Sequence, residues 1–93
     1  MLQLKMIVHG QVQGVGYRYS ILAGIENHNL NVTGYVKNLA DGTVEIVAES
    51  DIESLKEIKK IASIGSRNCW IREIHEEIKP IKKREFLSFD IKE

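Results

Sequence analysis

The chain has 93 residues, enough for one two-layer core, and we expect residues 1–93 to form a single small domain. Thirteen basic residues balance thirteen acidic ones, so no overall field attracts nucleic acid or an anionic membrane. The single cysteine, Cys69, excludes an internal disulfide, and no apolar run is long enough to cross a bilayer; we therefore expect a cytoplasmic protein.

The first predicted elements are a strand, a glycine-rich loop and a helix. Apolar residues alternate over residues 2–8, which is the period of a half-buried strand. Over residues 19–30 the period becomes helical, and the polar run 27–29 marks the end of that helix. The loop 10–18 therefore lies where a strand passes into a helix.

This loop has the residues of an anion site. Gly10, Gly14 and Gly16 permit positive φ, so successive N–H groups can converge on one anion, and the helix N-terminus adds further N–H groups. Arg18 supplies a planar fork of donors for phosphate oxygens, and an anion would offset its unfavourable place at a helix start. A tight turn beside a solvated arginine fits equally well, so the pattern alone leaves both interpretations open.

A predicted hairpin follows the first helix. Residues 31–38 and 43–49 are rich in β-branched residues, and the Asp41-Gly42 pair between them is a strong turn signal. The returning strand is expected to face the core with three apolar residues: Val44, Ile46 and Ala48.

A second helix is predicted between Ser50 and Gly65. The spacing of Ser50 and Glu53 is that of a capping box, and Gly65 is expected to end the helix in a left-handed conformation. Its predicted buried face consists of Leu55, Ile58, Ile61 and Ala62.

The C-terminal third is predicted to be extended over residues 69–78 and 85–91, with a turn at Pro80 between them. The basic residues 79–84 are expected to form this solvated turn, and Trp70 is expected to lie in the core. Three apolar residues should share one face of the last strand: Leu87, Phe89 and Ile91.

The order of elements predicts a split βαβ arrangement, an antiparallel sheet with both helices on one face. The first two strands then run in the same direction, which brings Asn38 to the sheet edge that carries the loop and Arg18. A carboxamide there can orient a water molecule by accepting one of its protons, without adding a repulsive charge. A turn asparagine with only local hydrogen bonds remains the alternative.

Two stretches resemble the signatures of the acylphosphatase family. Residues 10–18, Gly-Gln-Val-Gln-Gly-Val-Gly-Tyr-Arg, are similar to the pattern G-x-V-Q-G-V-x-F/Y-R. Residues 34–38 and 41–45 are similar to the second pattern, G-W/Y-V-x-N followed by D-G-x-V-E, and residues 89–91 fit the last strand of the family. The resemblance implies an α+β, ferredoxin-like split βαβ sandwich (βαββαβ) with a short extra C-terminal strand.

The resemblance also implies an activity, the metal-independent hydrolysis of the carboxyl-phosphate anhydride of a small acyl phosphate, with inorganic phosphate as product. It implies no cofactor, a monomer, and Arg18 and Asn38 as the catalytic pair. In this interpretation Arg18 holds the phosphate oxygens, Asn38 positions the attacking water, and the backbone of six further residues cradles the phosphate: Gln11, Val12, Gln13, Gly14, Val15 and Gly16.

Some features depart from the family or leave other functions open. The link from Arg18 to Gly34 is slightly longer than usual for the family, and residues 63–70 replace its usual Gly-Pro. The three histidines, His9, His28 and His75, are too scattered along the chain to predict a zinc site. A non-catalytic domain for a phosphate- or carbamoyl-phosphate-like ligand is the main alternative, and single-stranded RNA binding through the tyrosines of the loop is a third.

Overall fold

Strand and helix boundaries follow the predicted order. The computed structural model describes residues 1–93 as β1 (Leu2–Gln11), α1 (Tyr17–Asn27), β2 (Thr33–Asn38), β3 (Val44–Ser50), α2 (Ile52–Ile64), β4 (Trp70–Pro80) and β5 (Phe89–Lys92). This is the βαββαβ order with one extra strand, and the predicted α+β fold class is confirmed. Neither helix has the length and apolar character needed to span a bilayer.

The five strands form one sheet in the order β4-β1-β3-β2-β5. β3 is antiparallel to both β1 and β2, so β1 and β2 run in the same direction, as predicted. The sheet is mixed rather than wholly antiparallel, because β5 pairs with β2 in parallel. This parallel pair arises because residues 81–88 carry the chain from one edge strand, β4, to the opposite edge.

The core lies between the helices and one face of the sheet. Alternate residues of β1 point into it, and α2 adds residues spaced by three and four positions, as its helical period requires. The predicted inward residues of β3 and all four predicted core residues of α2 are buried. Fully buried members of this core include Leu4, Met6, Val8, Ile21, Val36, Val44, Ile46, Ala48, Leu55, Ile58 and Ala62.

The helix ends differ from the predictions in detail. α1 starts two residues before the predicted start, and it ends in the predicted polar run, where Asn29 adopts a φ of 51°. The capping box is wrong: Ser50 is buried at the end of β3, and Asp51 caps α2 by accepting from the N–H of Ser54 at 2.8 Å. Gly65 has the predicted positive φ of 64°, but its ψ of −151° is not left-handed helical.

Three predictions for the C-terminal third of the chain are wrong. Trp70 is 61% exposed and not a core residue, because it begins an edge strand whose outer side has no neighbour. Leu87 is fully exposed, since β5 starts only at Phe89. The Pro80 turn is also misplaced, because Pro80 still pairs with Leu2 in the sheet.

The basic segment 79–84 is not simply a solvated turn. Arg84 donates to the carbonyl oxygens of Asn31 and Glu49 and to Oγ1 of Thr33. The side chain of Glu49 is buried and accepts from the backbone N–H of Glu85 at 3.0 Å. Burial raises the pKa of Glu49, but the hydrogen bonds it accepts outweigh that effect, so its pKa is lowered overall. These contacts fix the path of the chain into β5.

Candidate active site

A small cavity lies at the sheet edge where β1 and β2 end. Its volume is about 150 Å³. The glycine loop, the first turn of α1 and the last residue of β2 form its walls, and the lining residues are Val12, Gly14, Gly16, Tyr17, Arg18, Tyr19 and Asn38. Arg18 and Asn38 therefore share one cavity, in agreement with the predicted strand directions.

The backbone of the loop is arranged as a donor surface. Gly14 and Gly16 have φ angles of 74° and 79°, and Gly16 starts α1 without any side-chain cap. No backbone N–H from Val12 to Tyr19 donates to a backbone carbonyl, and the first such bond of the helix is donated by Ser20. Unpaired N–H groups at a helix start and in a positive-φ loop form an anion-binding surface.

Arg18 gives this cavity its charge. It lies in the first turn of α1, and its Nη1 donates to the carbonyl oxygen of Lys92 in β5 at 2.9 Å. None of the lining residues is a carboxylate, so the guanidinium is the only formal charge among them. A cavity with one cation and several free N–H groups favours an anion.

Asn38 supplies a buried acceptor that has no hydrogen-bond partner. It ends β2, and its Oδ1 is buried but accepts no hydrogen bond. Buried carboxamide oxygens are nearly always hydrogen-bonded, so an unpaired one beside a polar cavity indicates a functional partner.

Gln13 has a positioning contact that its place in the sequence does not reveal. Its Nε2 donates to the carbonyl oxygens of Leu39 at 2.8 Å and Thr43 at 2.9 Å. The glycine loop is thereby tied to the turn that follows Asn38. No spacing pattern could have indicated this contact, because it joins residues that are 26 and 30 positions apart.

The other loop residues contribute less directly to the cavity. Gln11 is the last residue of β1 and pairs with Trp70 in β4. Val15 packs against the core, and neither residue lines the cavity. Of the six predicted cradle residues, Val12, Gly14 and Gly16 line the cavity. The other three do not: Gln11, Gln13 and Val15.

Tyr17 anchors the start of α1. Its hydroxyl donates to the carbonyl oxygen of Ala62 at 2.7 Å, and its side chain is buried. Burial raises the pKa of Tyr17, so the hydroxyl stays protonated and keeps this bond. A buried ring cannot stack on a base, which leaves Tyr19, 68% exposed, as the single loop tyrosine available for RNA.

The histidines lie elsewhere. His9 and His75 are far apart along the chain but come together across β1 and β4, with ring centroids 5.0 Å apart. His28 lies at the end of α1, where its Nδ1 is 2.9 Å from the carbonyl oxygen of Gly24. None of the three lines the cavity.

A wider groove of about 370 Å³ occupies the sheet face that the helices leave uncovered. It carries both signs of charge, and Lys5 and Glu45 form an ion pair across it at 3.6 Å. The groove has two lysines and three glutamates, so the smaller cavity, whose only formal charge is Arg18, is the better candidate for an anionic substrate.

Comparisons with known proteins identify similar chains and structures. The acylphosphatase family model matches residues 4–91. The chain is 52% identical to an acylphosphatase of Bacillus licheniformis over 66 residues, and this match covers 71% of each chain. It is 47% identical over 73 residues to an acylphosphatase of Caldanaerobacter subterraneus, covering 74% of this chain and 77% of that one. The crystal structure of acylphosphatase from Bacillus subtilis superposes over the full length of both chains with a TM-score of 0.88 and 33% identity.

Proposed function

Because this chain belongs to the acylphosphatase family, whose members hydrolyse acyl phosphates to a carboxylate and inorganic phosphate, we propose that Arg18, Asn38 and the glycine loop form its active site. One observation carries the assignment of roles. Asn38, whose buried Oδ1 has no hydrogen-bond partner, lines the same cavity as Arg18, Gly14 and Gly16.

The phosphoryl group binds at the glycine loop. The N–H groups of Val12, Gly14, Gly16 and the start of α1 donate to its oxygens, and the Arg18 guanidinium holds two of them in a bidentate contact. The bond from Arg18 to Lys92 restrains the guanidinium before substrate arrives, which lowers the entropic cost of binding. The same donors oppose the charge on the phosphoryl oxygens in the transition state.

Asn38 positions the nucleophile. A water molecule that donates one proton to Oδ1 of Asn38 directs a lone pair at phosphorus, opposite the acyl oxygen. A neutral carboxamide cannot remove the proton, so the contribution of Asn38 is orientation. An aspartate at this position would add a negative charge beside the anionic substrate.

The leaving group explains why so few residues suffice. Cleavage of the anhydride releases a carboxylate, a weak base that departs without protonation, so the reaction needs no general acid. The lining residues include no carboxylate and no histidine, and we propose that hydrolysis at this cavity is metal-independent and cofactor-free. Catalysis then consists of positioning and charge stabilisation.

The decisive experiment measures benzoyl phosphate hydrolysis in excess EDTA. We expect turnover by the wild type and a loss of at least about 100-fold in kcat for both Arg18→Ala and Asn38→Ala, the cost of removing a preorganised group. The matched controls are Arg67→Ala and Asn27→Ala, two residues of the same types away from the cavity, which should keep full activity. Circular dichroism verifies folding of every variant.

Three outcomes would contradict the proposal. Full activity of folded Arg18→Ala or Asn38→Ala would overturn the assigned roles. Activity that disappears in EDTA and returns with a metal would overturn the metal-independent mechanism. A folded wild type that binds phosphate without turnover would instead indicate the non-catalytic binding domain.

We further propose that residues 1–93 act as a single domain, a monomer, in the cytoplasm. The lone Cys69 is free and packs half-buried against the core, which suits a reducing compartment. Light scattering at micromolar concentration tests the monomer, and a mass of twice that of the chain would contradict it.

A further inference from the structure

A second cluster of polar side chains lies on the sheet face that the helices leave uncovered. His9 of β1 pairs with Glu73 of β4, and His75 lies two residues further along β4 on the same face. The register of β1 and β4 shifts just after His9, at Gly10. The pairing of the two strands thus places two imidazoles and one carboxylate on one patch of surface.

The three side chains are close enough to share one ion. One ligand atom from each lies within 4.8 Å of the others, and Nε2 of His75 is 3.3 Å from Oε2 of Glu73. Metal–ligand bonds of about 2.0–2.2 Å in a tetrahedral site place ligand atoms roughly 3.3–3.6 Å apart. The Glu73–His75 pair already has this separation, and the ligand nitrogen of His9 lies within 4.8 Å of both.

The cluster of His9, Glu73 and His75 is accessible to a metal ion from solvent. Glu73 and His75 are exposed and His9 is half-buried, so an ion can reach them from solvent. The nearest cation on Glu73 is Arg72, whose Nη2 lies 3.9 Å from Oε1, the carboxylate oxygen that does not face His75. Oε2 therefore remains available, and with three protein ligands the fourth position would be taken by water.

We propose that His9, Glu73 and His75 form a binding site for a divalent transition metal ion of the zinc type. Two imidazoles and one carboxylate suit zinc, copper and nickel, whereas magnesium and calcium require mainly oxygen ligands. The bound ion would link the edge strand β4 to β1 immediately before the glycine loop. None of the three residues lines the active-site cavity, so the site is separate from the hydrolytic reaction.

Zinc titration of untagged, metal-free protein in phosphate-free buffer tests the proposal. Calorimetry should give one Zn²⁺ per chain, and His9→Ala and His75→Ala should each weaken binding by at least about tenfold, because loss of even an outer-shell partner costs that much. His28→Ala and Cys69→Ser are the matched controls, because they remove the other histidine and the lone thiol, and both should bind zinc like the wild type.

A second readout follows the link between the strands. Zinc should raise the Tm of the wild type, EDTA should reverse the shift, and the double variant His9→Ala, His75→Ala should show none. The proposal is overturned by folded wild type that binds no zinc at millimolar concentration, by equal binding in the double variant, or by loss of binding in Cys69→Ser. Hydrolysis in EDTA is measured separately, so failure here leaves the active-site assignment intact.

Discussion

The side-chain amide of Gln13 donates to the main-chain oxygen of Leu39, the residue that follows Asn38, at 2.8 Å. The same nitrogen also donates to the carbonyl oxygen of Thr43, at the other end of the β2–β3 turn. One glutamine therefore couples the loop assigned to phosphate with the strand end assigned to water. The distance between nucleophile and phosphorus depends on this coupling.

Replacing Gln13 should reduce activity more than stability. Gln13→Ala removes two partly buried hydrogen bonds, which should cost about 1–2 kcal/mol in the free energy of unfolding. Because the loop is then free to shift relative to Asn38, we expect kcat for benzoyl phosphate to fall by about tenfold or more. Gln11→Ala, an exposed glutamine in the same segment, is the control and should change neither value. Equal kcat for both variants would contradict the coupling.

Inorganic phosphate should stabilise the folded chain through Arg18. A ligand at 100 times its Kd adds about 2.7 kcal/mol to the free energy of unfolding, which is readily seen as a rise in Tm. Arg18→Ala should abolish the rise, and Arg18→Lys should restore little of it, since lysine lacks the planar fork. A similar rise in Arg18→Ala would place the anion elsewhere.

Gly10 and Gly14, two glycines of the segment 10–18, should differ in their response to alanine. A Cβ at Gly10 would lie 2.1 Å from the carbonyl oxygen of Trp70, so Gly10→Ala should lower the free energy of unfolding by about 3 kcal/mol. A Cβ at Gly14 meets nothing within 4 Å, and the residue's φ of 74° should cost Gly14→Ala only about 1–2 kcal/mol.

Activity should reverse that order. Gly14 lines the cavity and Gly10 does not, so at a temperature where both variants are folded Gly14→Ala should show the larger loss of kcat. Urea unfolding and benzoyl phosphate kinetics on the same samples make the comparison. A greater loss of unfolding free energy in Gly14→Ala than in Gly10→Ala would contradict the close backbone contact at Gly10 and the open space at Gly14.

Glu49 should make stability depend on pH. Its folded pKa is lowered, so its contribution is present above the unfolded pKa of about 4.5 and is lost as pH falls through the folded value. Glu49→Gln should therefore lose about 2 kcal/mol of unfolding free energy at pH 7, where the charged hydrogen bonds to the Glu85 and Phe86 N–H groups are intact.

The gap between wild type and Glu49→Gln should narrow as pH falls below the unfolded pKa of about 4.5, because the unfolded wild-type chain then binds a proton that the folded Glu49 carboxylate does not. Glu26→Gln, on the exposed side of α1, is the control and should follow the wild type throughout. Urea unfolding between pH 3 and pH 7 measures both curves. A gap that stays constant down to pH 3 would contradict a stabilising Glu49 carboxylate.

Strands, helices and turns that are marked by a pattern of neighbouring residues can be predicted from the amino-acid sequence. The alternation in β1, the 3.6-residue period of α2 and the Asp41-Gly42 turn each depend on residues a few positions apart, so they could be predicted. The family signatures also lie within short segments, which is why the sequence indicates Arg18 and Asn38 as site residues. The direction of β1 and β2 followed from one crossover helix.

Contacts between distant segments depend on the tertiary structure. Whether Trp70 is buried, whether His9 meets His75 and which carbonyl oxygens Gln13 reaches are all set by strand register and by which strands form the sheet edges. The parallel pairing of β5 with β2 places Lys92 beside Arg18. This pairing depends on the loop that leads into β5, where the Glu85 N–H donates to the side chain of Glu49. The secondary-structure preferences of neighbouring residues do not predict such pairings, because each pairing results from packing the whole sheet against its two helices.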